Sequence, residues 1–193
     1  MTRIIIAAVV SSLLAIGVFA QSTTPASAPS SEVGQRAENQ QDRIGQGVKS
    51  GQLAAGETAN LEKKESAINQ EVHTDRSLNG GHLTGQEKQI VNSQQNKISN
   101  QIYRDKHNAA VQRNGNSEVG KRAENQQDRI ANGISSGKLN AAQTARLEKN
   151  ESGINKEVHT DRQANGGHLT GQEKQQVNQQ QNKMSSRIYK AKH

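Results

Sequence analysis

One stretch of this chain occurs twice. Residues Asn79–Gln89, which read NGGHLTGQEKQ, return letter for letter at Asn165–Gln175. A segment that recurs at a fixed spacing is typical of repeat architectures, in which each copy folds into the same supersecondary unit. We therefore assign a first repeat to residues 32–107 and a second repeat to residues 117–193, and we read residues 108–116 as the linker between them.

Each repeat carries three stripes of apolar residues at helical spacing, which predicts three helices. In the first repeat the stripes are Val33, Ala37, Ile44 and Val48, then Leu61, Ile68 and Val72, then Val91, Ile98 and Ile102. The second repeat keeps all three stripes. The predicted fold is all-α, with two tandem copies of a three-helix unit and no sheet.

The composition limits both the core and the chemistry. There is no Cys, so no disulfide, thiol nucleophile or Cys-based zinc site can form. The formal net charge is +7, but Lys and Arg alternate with Asp and Glu along the chain. The sequence has neither the basic run nor the group of aromatic residues that would predict nucleic-acid binding. The partners left open are an envelope protein and an anionic envelope polymer.

The first 20 residues have the features of a signal peptide. Arg3 supplies a positive charge, an apolar run follows, and Val18-Phe19-Ala20 places small residues where signal peptidase reads them. Residues 21–31 contain both prolines and many small polar residues, which predicts a flexible linker. We expect an exported bacterial protein, periplasmic or secreted, with no stable membrane span after cleavage. The alternative is a retained anchor.

The predicted connections between helices have turn and cap chemistry. Glycine suits the left-handed position that follows a helix end. The sequence Thr84-Gly85-Gln86-Glu87 has the form of a capping box, in which Thr84 and Glu87 satisfy each other's free amides. The predicted turn and cap residues are Gly51, Gly80, Gly81, Thr84 and Glu87, with Gly137, Gly166, Gly167, Thr170 and Glu173 in the second repeat.

The same connections resemble the second half of an EF-hand loop, with Gly, one residue, Leu, and then Glu four residues further on. The first, third and fifth loop positions should carry oxygen ligands, but in this frame they are Arg76, Leu78 and Gly80. A frame shifted by one residue offers weak calcium candidates. These are Asp75, Asn79 and Glu87, with Asp161, Asn165 and Glu173 as their copies. Because one Glu87 carboxylate cannot serve both a cap and a cation well, we favour the cap and expect no cofactor.

The pattern of the chain after residue 20 resembles a group of uncharacterised small exported bacterial proteins with tandem, degenerate EF-hand-like helix-turn-helix repeats. Residues Asn39–Glu62, Gly81–Glu87 and Gln95–His107 carry the resemblance. It implies an exported helical protein and gives no activity. Some of these proteins have more Asp in the second turn, where this chain has Leu78 and Gly80.

The sequence contains no recognisable catalytic triad, phosphate loop or paired-carboxylate site. We therefore expect no enzyme activity, but a binding or structural module of the cell envelope. Two alternatives stay open. One is a weak divalent-cation binder that uses the degenerate EF-hand turns. The other is a hydrophilin-like stress protectant, which very low hydropathy would favour.

Overall fold

A computed structural model of the protein describes residues 31–112 and 114–193. The predicted signal peptide at residues 1–20 lies outside the described residues, as does the predicted linker up to residue 30.

The described chain forms six helices, three in each repeat. In the first repeat they are α1 (Glu32–Lys49), α2 (Ala55–Leu78) and α3 (Gly85–Lys106); in the second they are α4 (Glu118–Ser135), α5 (Ala141–Ala164) and α6 (Gly171–Lys192). Each helix has the same length as its counterpart, 18, 24 and 22 residues in turn. The predicted all-α fold of two three-helix units is confirmed.

The two repeats pack against each other through equivalent helices. Helix α2 lies along α5, and α1 lies along α4. Helix α3 covers α1 and α2, and α6 covers α4 and α5. The four helices that meet between the repeats therefore form the middle of the molecule, and the last helix of each repeat lies on its outside.

The apolar stripes of both repeats join in a single core. Leu61 and Leu147, which are equivalent in the two copies, belong to the same cluster of buried side chains. Apart from the half-buried Ala37, the apolar residues that define the predicted stripes of the first repeat are buried. Each repeat thus contributes about half of one shared core.

Two glycines of α1 allow close packing. A Cβ on Gly45 would lie 2.7 Å from the hydroxyl oxygen of Ser135, so the glycine lets α1 approach α4. A Cβ on Gly47 would lie 2.6 Å from a methyl carbon of Leu53, whose side chain folds back from the following turn into the core.

Glutamine side chains join the first and third helices of each repeat. Gln40 of α1 donates to the backbone carbonyl of Gln95 at 2.6 Å, and the Gln95 side chain donates back to the carbonyl of Val33 at 2.9 Å. Gln126 and Gln181 make the same exchange in the second repeat, with Val119 as the final acceptor. All four of these glutamines are buried, so polar contacts fill places where the sequence offers few apolar residues.

Candidate functional site

The repeated turn is built around a helix cap. Thr84 is the N-cap of α3, and its hydroxyl accepts a hydrogen bond from the amide of Glu87 at 3.3 Å. The Glu87 carboxylate accepts in return from the Thr84 amide at 2.7 Å. Thr170 and Glu173 form the same reciprocal pair at the start of α6. Both helices therefore begin with a capping box.

The carboxylate of Glu87 also holds the preceding turn. The side-chain amide of Asn79 donates to both of its oxygens at 2.9 Å. The hydrogen bond from the Thr84 backbone lowers the pKa of Glu87, and the Asn79 contact acts in the same direction. Asn165 and Glu173 repeat this arrangement. The carboxylate therefore faces the cap and the asparagine.

Gly80 and Gly81 reverse the chain between α2 and α3. Both have positive φ, 65° and 93°, as do their copies Gly166 and Gly167. The amide of Gly81 reaches back to the carbonyl of Arg76 at 2.7 Å. The Arg76 side chain leaves the turn and donates to the hydroxyl of Ser31, the N-cap of α1. Arg76, which occupies the first position of the EF-hand frame, thus connects α2 to the start of α1.

The structure brings only part of the weak calcium set together. Asn79 contacts Glu87 through a donor nitrogen. Burial and the nearby Glu87 and Glu71 carboxylates raise the pKa of Asp75, so Asp75 lies in an acidic neighbourhood; the pKa of Asp161 is raised in the same way. In residues 31–112 and 114–193, no group of three or more His, Cys, Asp or Glu side chains is arranged to hold a metal ion.

The connection between α1 and α2 differs between the repeats at the cap. In the second repeat Asn140 accepts from the amide of Gln143 at 2.9 Å, and the Gln143 side chain accepts in return from the Asn140 amide. The equivalent residue in the first repeat is Ala54, which has no acceptor in its side chain. Gly51 and Gly137 reverse the chain in these two connections, both with positive φ. The first repeat therefore needs a capping group from elsewhere.

Four glutamates of α2 and α5 are buried, which the sequence interpretation did not anticipate. Glu62 and Glu65 of α2, and Glu148 and Glu151 of α5, are all fully buried. Burial raises the pKa of Glu62 and Glu148 to about 8, although each accepts a hydrogen bond from a glutamine, Gln41 or Gln127. Burial raises the pKa of Glu65 and Glu151 to about 7.

These buried carboxyls have few hydrogen-bond donors. Neither oxygen of Glu65 or Glu151 has a hydrogen-bond partner. In the described part of the chain, every buried side-chain nitrogen or oxygen without a partner is an oxygen. Because a protonated carboxyl supplies a donor and a carboxylate does not, this environment favours the neutral acids.

A feature of the sequence could have revealed two of the buried glutamates. Glu65 lies on the helical face that also carries Leu61, Ile68 and Val72, and Glu151 is its copy in α5. A charged residue inside an apolar stripe, kept at the same place in both copies, indicates a buried acid more than a solvated one.

A groove lies between α2 and α5 and has a volume of about 600 Å³. Lys63 lines it from the first repeat, and Arg146 and Lys149 line it from the second. Most of the remaining lining residues are small, and the groove is open to solvent. Exposed basic residues of both repeats meet in this groove.

In residues 31–112 and 114–193, no helix is long and apolar enough to cross a bilayer.

No protein-family model, no curated protein and no solved structure matches this chain.

Proposed function

We propose that this protein is an exported, non-enzymatic helical repeat protein that serves as a binding module of the cell envelope. The observation that carries the proposal is the groove between α2 and α5, which takes basic residues from both repeats. Such a surface exists only when the two repeats pack together, and this gives the duplication a role in forming a binding site.

Two features support the binding module over the alternatives. A hydrophilin-like protectant would be mostly unfolded in dilute buffer, whereas this chain has enough apolar residues to form a core across both repeats. A calcium binder would use Glu87, whose carboxylate is engaged by Thr84 and Asn79.

Sedimentation of the chain from residue 21 onward with purified envelope fractions tests the proposal. We expect the protein to sediment with the envelope and to stay in solution without it. Circular dichroism should show a helical protein with or without calcium. A failure to bind any envelope fraction would overturn the proposal. So would a chain that is a coil in dilute buffer, or one that becomes helical only when calcium is added.

A further inference from the structure

The basic residues of the groove between α2 and α5 have no compensating partners. In the described part of the chain, the side chains of Lys63, Arg146 and Lys149 form no ion pair and no hydrogen bond, and no Asp or Glu lines the groove. The neighbouring acids cancel only part of this charge. Glu62 and Glu148 are buried, and because burial raises their pKa to about 8 they are mainly neutral at pH 7. Burial raises the pKa of Glu65 and Glu151 to about 7, so each of these is only about half ionised at that pH. The groove therefore carries a local positive charge.

The spacing of these charges follows from the antiparallel packing of the two helices. A Cβ on Gly56, near the start of α2, would lie 3.2 Å from the hydroxyl oxygen of Ser152, in the middle of α5. Lys63 is seven residues beyond Gly56, and Lys149 is three residues before Ser152. At a rise of about 1.5 Å per residue, the two lysines are offset by roughly 6 Å along the groove. Positive charges from the two helices are therefore staggered along the groove.

The polar residues of the groove are also free to bind a ligand. The side chains of Asn60, Ser66 and Ser152 line it and make no hydrogen bond within the described residues. Amide and hydroxyl groups can donate to and accept from sugar hydroxyls. No aromatic residue lines the groove, so it offers no stacking platform for nucleic-acid bases.

We propose that the groove between α2 and α5 binds a linear polysaccharide that carries carboxylate groups. The carboxylates pair with Lys63, Arg146 and Lys149, with Arg146 able to make a two-pronged contact. Asn60, Ser66 and Ser152 bind the sugar hydroxyls between them. This inference rests on the proposed function, because it names the class of envelope polymer that the binding module takes.

Titration with fluorescently labelled oligogalacturonate, a carboxylated sugar chain, tests the inference. We expect binding that weakens as salt is added, and we expect no binding of neutral dextran oligomers. The K63Q/R146Q/K149Q variant should bind at least tenfold more weakly. The control variant K88Q/K97Q/K183Q removes the same charge from exposed lysines outside the groove and should bind within about twofold of the parent.

Several results would overturn the inference. An equal loss in the control variant would show that general charge, and not the groove, attracts the ligand. Tighter binding of polyphosphate or single-stranded DNA than of oligogalacturonate would show that the ligand class is wrong. Amide chemical-shift changes in the parent protein should cluster on α2 and α5. Changes that cluster elsewhere would exclude the groove whether or not the triple variant folds.

The outcomes also separate this inference from the proposed function. If the K63Q/R146Q/K149Q variant sediments with the envelope as well as the parent, the groove is not the site and the envelope module stands. If the parent does not sediment with the envelope, the proposed function fails as well.

Discussion

The side-chain oxygen of Gln112 accepts a hydrogen bond from the amide of Ala55 at 2.9 Å, so a linker residue caps the start of α2. The second repeat caps α5 from within, through Asn140. Gln112 also donates its backbone amide to the carbonyl of Gly51 at 2.9 Å. The segment predicted as a linker is therefore part of the packed structure of the first repeat.

Gln112→Ala should lower the free energy of unfolding by about 0.5–2 kcal/mol, because the Ala55 amide loses its acceptor. Urea denaturation followed by circular dichroism measures the change. The control Gln89→Ala removes an exposed glutamine of α3 and should change stability by less than about 0.5 kcal/mol. Adding Ala54→Asn to Gln112→Ala should restore part of the loss. Equal stabilities for Gln112→Ala and Gln89→Ala would contradict the capping role.

The free energy of unfolding should fall as the pH rises from about 5 to 8. The folded chain holds the pKa of Glu65 and Glu151 at about 7, and that of Glu62 and Glu148 at about 8, against 4.5 for an ordinary glutamate. The folded state therefore binds more protons than the unfolded state in this range. The stabilisation that these protonated carboxyls give the folded state is complete below pH 4.5. It is lost as the pH rises through their pKa values in the folded state. For each extra proton that the folded state binds, the free energy of unfolding falls by about 1.4 kcal/mol per pH unit.

Substitution at the buried acids tests this assignment. Glu65→Gln with Glu151→Gln keeps the size of both side chains but removes two of the ionising groups, so stability should fall less steeply between pH 5 and 8. The control pair Glu38→Gln and Glu124→Gln lies on the exposed surface and should leave the slope unchanged. Chemical denaturation at several pH values gives each slope. A slope that is the same in all three proteins would show that these carboxyls do not titrate within the fold.

Thr84→Ala should cost on the order of 1 kcal/mol, because the Glu87 amide loses its acceptor at the start of α3. Asp75→Ala should leave stability almost unchanged with or without calcium, since the Glu87 carboxylate is engaged by the cap. Thermal melts of the parent and both variants, in calcium and in chelator, measure these effects. A melting temperature that rises with calcium in the parent, but not in an Asp75→Ala, Asp161→Ala double variant, would favour the cation-binding alternative.

Leu61→Ala should lower the free energy of unfolding by about 2–5 kcal/mol, because Leu61 is fully buried in the shared core. Both repeats should be affected equally. Hydrogen exchange of the slowest amides, followed by mass spectrometry, reports the opening free energy of each repeat separately. Exposed Leu78→Ala is the control and should change neither repeat appreciably. Slow amides of the second repeat that stay unchanged in Leu61→Ala would show that the repeats unfold independently.

Local patterns in the sequence were enough to predict the helices. The spacing of Leu61, Ile68 and Val72 places one face of α2 in the core, as the structure has it. The order Thr, two residues and Glu marks the start of α3 because a capping box is made within a few residues of chain. Interactions between residues that are close in sequence can therefore be predicted from a short stretch of the sequence.

Contacts between residues far apart in sequence left a much weaker pattern. Gln40 and Gln95 fall within the apolar stripes of α1 and α3, but periodicity does not show that each side chain is buried and donates to a backbone carbonyl of the other helix. Glu62 was likewise not identified as buried, because its environment includes Glu148 from the other repeat. These contacts join residues far apart in sequence, so no local window contains both partners.

The pairing of α1 with α4 and of α2 with α5 means that each repeat presents one face to the same face of its copy. Such a face is self-complementary, as in a symmetric homodimer. The tandem chain is in this sense a dimer within one polypeptide. Since a short linker holds the partner at an effective concentration in the millimolar range, the assembly stays closed however far the protein is diluted.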